Sequence, residues 1–161
     1  LIELLVVLAI IGMLSAAVLT SLTASRAKAR DSKRLQEITQ FQKALELYFA
    51  TYNQYPVACG NVTGAYRGHG SNFGNCDTDY VMGIAPTYLA KLPVDPGGDS
   101  TDGYIYQVDT SRQNYKIMSY QKLETYTKNA GDVNARCPSS CANTYCSGAY
   151  LARHTAGASC W

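Results

Sequence analysis

The chain opens on an apolar run long enough to cross a lipid bilayer. Residues 4–22 contain three polar side chains, Ser15, Thr20 and Ser21. At about 1.5 Å per residue the run is about 28 Å long, close to the roughly 30 Å of a hydrocarbon core. Glu3 is the single charge within residues 1–25. An ionised group in lipid costs roughly 2.5 to 3.5 kcal/mol even on a lenient scale, so this carboxylate is a candidate functional group.

A second pattern follows the apolar run. Apolar residues recur every three or four positions, which is typical of an amphipathic helix that packs on a domain. They are Leu35, Ile38, Phe41, Leu45, Tyr48, Phe49 and Tyr52. Polar residues on the opposite face are Gln36, Glu37, Gln40, Lys43 and Glu46. Because no proline occurs before Pro56, we predict one helix of about 50 residues, whose lower half anchors and whose upper half supports a domain.

Strand-like patterns come later in the chain. Residues 104–108 and 115–120 are rich in β-branched and aromatic side chains and flank a turn-like segment, 109–114. They predict an antiparallel hairpin with one face on the helix stripe. A third strand from residues 123–126 or from the tail is left unplaced. Within residues 81–92 we expect a short helix that ends before Pro93.

These patterns predict an α+β fold with three parts. Residues 1–25 form the apolar half of the helix, 26–55 its amphipathic half, and 56–161 a globular head with a small antiparallel sheet and a cysteine-rich tail. The net charge of +2 gives no reason to expect specific nucleic-acid binding. Charge is concentrated just after the apolar run, in Arg26, Lys28, Arg30, Lys33 and Arg34, with Asp31 among them.

Six cysteines, all in the head, indicate disulfides and an oxidising compartment. They are Cys59, Cys76, Cys137, Cys141, Cys146 and Cys160. We pair Cys59 with Cys76, because each is alone in its region, and leave the four tail cysteines unassigned. The tail has few apolar residues, so cross-links are expected to hold it. The basic cluster taken alone would place the head in the cytoplasm, and we give the cysteines more weight.

The opening residues also carry a family resemblance. Residues 1–12, Leu-Ile-Glu-Leu-Leu-Val-Val-Leu-Ala-Ile-Ile-Gly, resemble the amino-terminal signature of type IV pilins and of type II secretion pseudopilins. Leu-Pro-x-Asp-Pro at 92–96, followed by Gly-Tyr-x-Tyr at 103–106, resembles the junction into the pilin sheet. The resemblance implies the type IV pilin fold and a methylated amino terminus. It also implies two further residues before Leu1 and a removed basic leader that set the membrane orientation.

The resemblance assigns Glu3 a role in assembly, neutralising the terminal amine of a neighbouring subunit. Such pairing would select one axial register among many for an otherwise featureless apolar rod. The alternative is a first-turn acid favoured by the helix dipole at the level of the lipid headgroups. Related pili melt a stretch of this helix in the filament, and weak helix formers in the apolar half mark a candidate region: Gly12, Ser15, Thr20 and Ser21.

The candidate metal ligands are three aspartates in a glycine-rich turn. Asp95, Asp99 and Asp102 offer the oxygen donors that calcium prefers, and pseudopilin relatives bind calcium near this loop. We favour ordinary turns, since Asp-Pro and Asp-Gly are common turn dipeptides. No other cofactor is expected, and no enzyme: His69 and His154 stand in polar loops as solvated side chains, and no nucleophile has a base nearby in the sequence.

The function that these features predict is a major pilin. It would sit in the inner membrane, meet the prepilin peptidase and the pilus assembly machinery, and polymerise with itself into a helical filament on the cell surface. Two alternatives stay open: a pseudopilin of a type II secretion system, and a low-copy tip adhesin or DNA-uptake pilin. The thirteen tyrosines are expected to serve core and interface packing.

Overall fold

The computed structural model describes residues 1–70, 73–74, 76, 79–97, 103–120, 123–125 and 151–155, with backbone alone for 17–20. Among them is one α-helix, α1, Ile2–Tyr52. Four strands follow: β1 (Arg67–Gly68), β2 (Tyr104–Val108), β3 (Tyr115–Ser119) and β4 (Leu151–His154). This is the predicted α+β, pilin-like arrangement of a long amino-terminal helix, a small antiparallel sheet and a disulfide.

The helix is continuous over 51 residues, which confirms the prediction of a single helix. It ends because Asn53 takes a left-handed conformation, with φ of 52°, and donates its backbone N–H to the Phe49 carbonyl at 2.7 Å. Asparagine tolerates this conformation better than most residues. The chain then turns back towards the sheet.

The sheet is an antiparallel meander in the order β1-β2-β3-β4. In the central pair, Tyr106 lies opposite Ile117, and β4 pairs with β3 so that Ala152 lies opposite Met118. The predicted hairpin is therefore confirmed. The third strand, left unplaced by sequence, comes from the tail as β4, while residues 123–125 form no strand.

The core lies between α1 and the inner face of the sheet. Helix residues Ile38, Phe41, Ala44 and Leu45 are buried there. The inner face of the sheet contributes Tyr104, Tyr106, Val108, Tyr115, Ile117 and Leu151. The outer face is buried as well, since Ile105, Met118 and Ala152 form a second cluster beneath Tyr66, Phe73 and Tyr120.

Two local expectations are wrong. Tyr52, assigned to the buried stripe, is 58% exposed, because it lies in the last turn of α1 at the edge of the core, where its ring packs against Tyr48 with centroids 4.5 Å apart. Residues 81–92 form turns, not a short helix. Gly83 there has φ of 77°, and Pro86 disfavours helical backbone at the residue before it.

The Cys59 to Cys76 disulfide is present, which confirms the predicted pairing. It closes the segment that contains β1. The other four cysteines, Cys137, Cys141, Cys146 and Cys160, lie outside the described residues. The covalent link ties β1 to the loop that leaves the end of α1.

Close packing of β1 on β2 depends on Gly68. A Cβ atom at this position would meet the Tyr104 carbonyl oxygen at 2.6 Å and the Ile105 side chain at 2.7 Å. We expect Gly68→Ala to lower the free energy of unfolding by about 1 to 3 kcal/mol, the usual cost of overpacking. Urea unfolding of the full chain in detergent measures it. Gly12→Ala, with no atom within 4 Å of the added Cβ, is the matched control and should not destabilise the head.

Candidate functional site

The amino-terminal half of α1 extends away from the head with its apolar side chains uncovered. We call residues 1–25 the free half of α1. Every side chain described in it is exposed, and the large apolar ones between Ile2 and Leu14 expose 51% to 79% of their surface. This stretch is apolar and long enough to cross a membrane, and none of its most apolar window is buried inside the described chain. Such a surface is compatible with membrane anchoring.

Glu3 lies in the first turn of α1 on this free half, and its side chain is exposed. The helix has no side-chain cap at its start. Gly12, Ser15, Thr20 and Ser21 all lie within the continuous helix, so their melting in a filament stays a prediction. The structure thus places one carboxylate near the amino-terminal end of the free half of α1.

An ionic cluster with a buried centre and a partly exposed edge lies where α1 enters the head. We call its five members the junction network: Arg30, Asp31, Arg34, Asp95 and Glu124. The guanidinium of Arg34 is 1% exposed and makes two parallel hydrogen bonds to Asp95, Nε to Oδ2 at 2.9 Å and Nη2 to Oδ1 at 2.8 Å. Its Nη1 donates to Asp31 at 2.7 Å and to Glu124 at 3.0 Å. Arg30 also pairs with Glu124.

The network joins three segments that are distant in sequence. Arg30, Asp31 and Arg34 come from α1, Asp95 from the turn before β2, and Glu124 from residues 123–125, which we call the strap. Gly97 closes the turn by donating its N–H to Asp95 Oδ1 at 2.8 Å. Hydrogen bonds to Asp95 raise the pKa of Arg34 even though burial alone would lower it, so the guanidinium stays charged.

The sequence analysis grouped Arg34 and Asp31 in a basic cluster after the apolar run and missed this role. A signal was available in the helical periodicity. Positions 31 and 34 continue the buried face of Ile38, Phe41 and Leu45 towards the amino terminus, at spacings of three and four. A charged residue on the buried side of a helix requires partners, and the required acids are far away in sequence.

The Asp31 carboxylate holds the strap by accepting hydrogen bonds from the backbone of the strap and from the Thr125 hydroxyl. Its carboxylate accepts the Thr125 N–H at 2.7 Å, the Thr125 hydroxyl at 2.9 Å and the Glu124 N–H at 3.1 Å. Burial alone would raise the pKa of Asp31, but these hydrogen bonds and the one from Arg34 outweigh it, and the pKa is lowered. The side-chain hydrogen bond from Arg30, aided by Arg34, lowers the pKa of Glu124 in the same way.

These lowered pKa values predict acid sensitivity. A carboxylate whose pKa is lower when folded stabilises the fold above its unfolded pKa, 3.8 for Asp31, and that contribution disappears as the pH falls through the folded value. We therefore expect the contribution of these carboxylates to the free energy of unfolding to be nearly constant from neutral pH to about pH 5 and to fall below it. Asp31→Asn should make the acid-induced fall shallower.

Urea unfolding of the full chain at a series of pH values tests this expectation. The matched control is Asp79→Asn, which removes an exposed carboxylate from the loop after Cys76. The control should keep the fall seen in the parent chain. Equal acid profiles for the two variants would contradict the role given to Asp31.

The structure places the predicted metal ligands as follows. Asp95 is buried in the junction network, with both oxygens bonded to Arg34. Asp99 and Asp102 lie outside the described residues, so the calcium expectation stays untested. In the part of the chain described, no group of three or more His, Cys, Asp or Glu side chains is arranged to hold a metal ion.

One histidine assignment is wrong. His154 lies in β4 opposite Lys116 and is partly buried, not in a polar loop. Burial lowers its pKa, and the nearby charges of Lys116 and Arg153 lower it further. His69 follows β1 in a bend and is partly buried, with its N–H directed at the Tyr104 carbonyl. Both positions arise from strand pairing that sequence alone left unplaced.

The described tyrosines serve mainly the core. Glu46 accepts hydrogen bonds from Tyr55 at 3.1 Å and Tyr115 at 3.2 Å, and Glu37 accepts one from Tyr104 at 2.5 Å. Burial, followed by the neighbouring Glu37, raises the pKa of Tyr104. Each phenol thus packs its ring in the core and reaches a carboxylate on α1, so these bonds help to seat the sheet on the helix.

Comparison with known proteins adds no relative. No family model, no curated protein and no solved structure matches the chain.

Proposed function

We propose that this chain is a structural subunit, a major pilin, that polymerises through the free half of α1 into an extracellular filament of the type IV pilus kind. The observation that carries the proposal is the exposed apolar surface of that half beyond a folded head. An apolar surface of this size is unfavourable in water and requires a cover. Lipid can provide it before assembly, and copies of the same helix can provide it afterwards.

The head supports this proposal mechanically. A subunit in a filament transmits load from one head to the next through its helix, so the connection between helix and head must be firm. The junction network lies at that connection and joins α1 to the turn and the strap with charge-assisted hydrogen bonds. A contact surface on one helix that packs against a different surface of the next copy extends without closing and forms an open helical polymer.

The role of Glu3 follows within this proposal. Removed from water, its carboxylate requires an opposite charge, and the amino terminus of a neighbouring subunit would provide one. The pre-assembly partners implied by the pilin resemblance are the inner membrane, the prepilin peptidase and the assembly machinery.

Labelled electron microscopy of sheared surface material tests the proposal. Antibodies raised against the head should label filaments along their whole length, and the chain should be the main protein of the sheared fraction. Label confined to filament tips would identify the low-copy tip subunit instead. Label on short structures that remain within the cell envelope would identify a pseudopilin. Absence of any labelled filament would refute the proposed function.

A further inference from the structure

The amphipathic half of α1 carries an open groove on its solvent-exposed side, which we call the outer groove. It has a volume of about 570 Å³. Its lining residues are Thr39, Gln42, Lys43, Glu46 and Leu47. Positions 39, 42, 43 and 46 have the spacing i, i+3, i+4 and i+7, which is that of the four residues around one hole in knobs-into-holes helix packing. The outer groove therefore has the form that receives a side chain from a second helix.

A fixed carboxylate stands at the upper end of the outer groove. Glu46 Oε2 accepts a hydrogen bond from the Tyr55 hydroxyl at 3.1 Å, and Oε1 accepts one from the Tyr115 hydroxyl at 3.2 Å. Both tyrosines are buried, so they hold the carboxylate in place. Glu46 is itself exposed and forms no ion pair within the described part of the chain. Each oxygen has room for a second hydrogen bond, so a cation from outside meets an acceptor that is already positioned.

The rest of the outer groove suits an aliphatic side chain. Leu47 exposes 57% of its surface beside it. The Thr39 hydroxyl donates to the Leu35 carbonyl at 2.8 Å, so it requires no partner in the groove. Gln42 and Lys43 contribute methylene groups, since long polar side chains can cover apolar surface while their ends stay in water. The matching partner is an aliphatic side chain followed by a cation one helical turn later.

The chain itself carries such a pair at the top of the free half of α1. Leu22 exposes 42% of its surface, and Arg26 is exposed and forms no ion pair among the described residues. The two lie on one side of the continuous helix, about 6 Å apart along its axis. The centre of the hole lies between positions 42 and 43. If Leu22 of a parallel copy occupies it, Arg26 of that copy lies level with Glu46.

We propose that the outer groove receives a second copy of this chain, displaced by about 30 Å along the helix axis, with Leu22 in the groove and Arg26 paired with Glu46. The displacement follows from the 20 residues between the paired positions, at about 1.5 Å per residue. Different parts of α1 meet in this contact, so it repeats from copy to copy without closing. The inference rests on the proposed function, because it specifies one contact within the filament.

A zero-length cross-link tests this contact. Arg26→Lys keeps the charge and introduces a primary amine, which a carbodiimide joins to a carboxylate in direct contact with it. In purified filaments of this variant we expect an amide bond between position 26 and Glu46, identified by mass spectrometry after digestion. Within one copy the two positions are about 30 Å apart on a continuous helix, so the link can form only between copies.

Two control variants are made in the Arg26→Lys background. Glu46→Gln keeps an oxygen for the two phenols but has no carboxylate, and it should abolish the link. Thr39→Phe keeps every charge and obstructs the hole, and it should reduce the link severalfold. An undiminished link with Thr39→Phe would overturn the placement of Leu22 in the outer groove.

Lys28 provides an internal comparison, because two residues along a helix correspond to about 200° of rotation and place it on the other side of α1. Filaments in which Glu46 is linked to Lys28 instead, or to no other copy, would overturn the contact and leave the proposed function standing. Absence of any filament would refute the proposed function and the contact with it.

Filament yield gives a second readout. Arg26→Glu places two carboxylates together at the contact and should reduce the mass of sheared filaments about fivefold or more. Lys91→Glu makes the same change of charge at an exposed lysine of the head and should leave the yield unchanged. Thermal unfolding of each variant, expected to match the parent chain, shows that the head remains folded. A parental yield from Arg26→Glu would overturn the pairing.

Discussion

Glu3→Ala will leave the chain in the membrane and remove most of its filaments. Insertion becomes easier, because the substitution removes an ionised group that costs roughly 2.5 to 3.5 kcal/mol in lipid. In the assembled filament, the substitution removes the carboxylate that would pair with the amino terminus of a neighbouring subunit. Leaving one member of a buried ion pair uncompensated costs about 3 to 5 kcal/mol, which is enough to reduce filament yield by more than about 100-fold.

Membrane fractionation measures whether the variant still inserts, and the mass of sheared filaments per cell measures whether it assembles. Ser25→Ala changes an exposed polar residue of the same free half without touching a charge, and it should form filaments normally. Glu3→Gln distinguishes charge from hydrogen bonding, and it should be nearly as defective as alanine. Normal filament yield from Glu3→Ala would show that the carboxylate has no part in assembly.

Arg34→Met should be the most destabilising single change within the head. It leaves Asp95, whose side chain is 1% exposed, without the cation that bonds both of its oxygens. Truncation of one partner in a buried pair costs about 3 to 5 kcal/mol because the other charge stays buried. The midpoint of urea unfolding of the full chain in detergent, followed by the near-ultraviolet circular dichroism of the core tyrosines, reports the loss.

Two further variants identify the cause of the stability loss expected for Arg34→Met. Lys33→Met, at the adjacent position on the exposed side, should change stability by less than about 0.5 kcal/mol. Arg34→Met combined with Asp95→Leu replaces the pair by apolar side chains and should recover much of the lost stability. A double variant no more stable than Arg34→Met would show that the lost packing of the arginine, not an unpaired carboxylate, is responsible.

Elements with a strong local pattern could be predicted from the sequence. Residues 104–108 and 115–119 contain aromatic and β-branched side chains and flank a turn in which Asp109 accepts hydrogen bonds from Gln113 and Asn114. The single long helix followed from a stripe of apolar residues without proline. The disulfide between Cys59 and Cys76 followed from their isolation in the chain.

Elements that depend on partners distant in the sequence could not be predicted from it. The strand β4 has the sequence Leu-Ala-Arg-His, which has no alternation to identify it, and it forms because β3 offers an open edge. The two residues of β1 are too few for any pattern. The junction network combines Arg34 with acids 61 and 90 residues away in the chain, so no local window contains the pair.

The proposed assembly residue could be predicted from the sequence. Glu3 stands out because it is the one charge in an apolar run, and the structure places it on the exposed free half of α1. The basic cluster was a less reliable guide, since its net charge hid the division between buried Arg34 and exposed Lys28. Burial separates the two roles, and burial depends on the strap and the turn that pack against α1.

The most direct measurement of the central claim is a cryo-electron microscopy reconstruction of purified native filaments. We predict that residues 1–25 will line the axis, packed against the same residues of other copies, with the carboxylate of Glu3 next to a neighbour's amino terminus. A fibre whose axis is built from another protein, or native chain recovered only as dispersed monomers, would contradict the account.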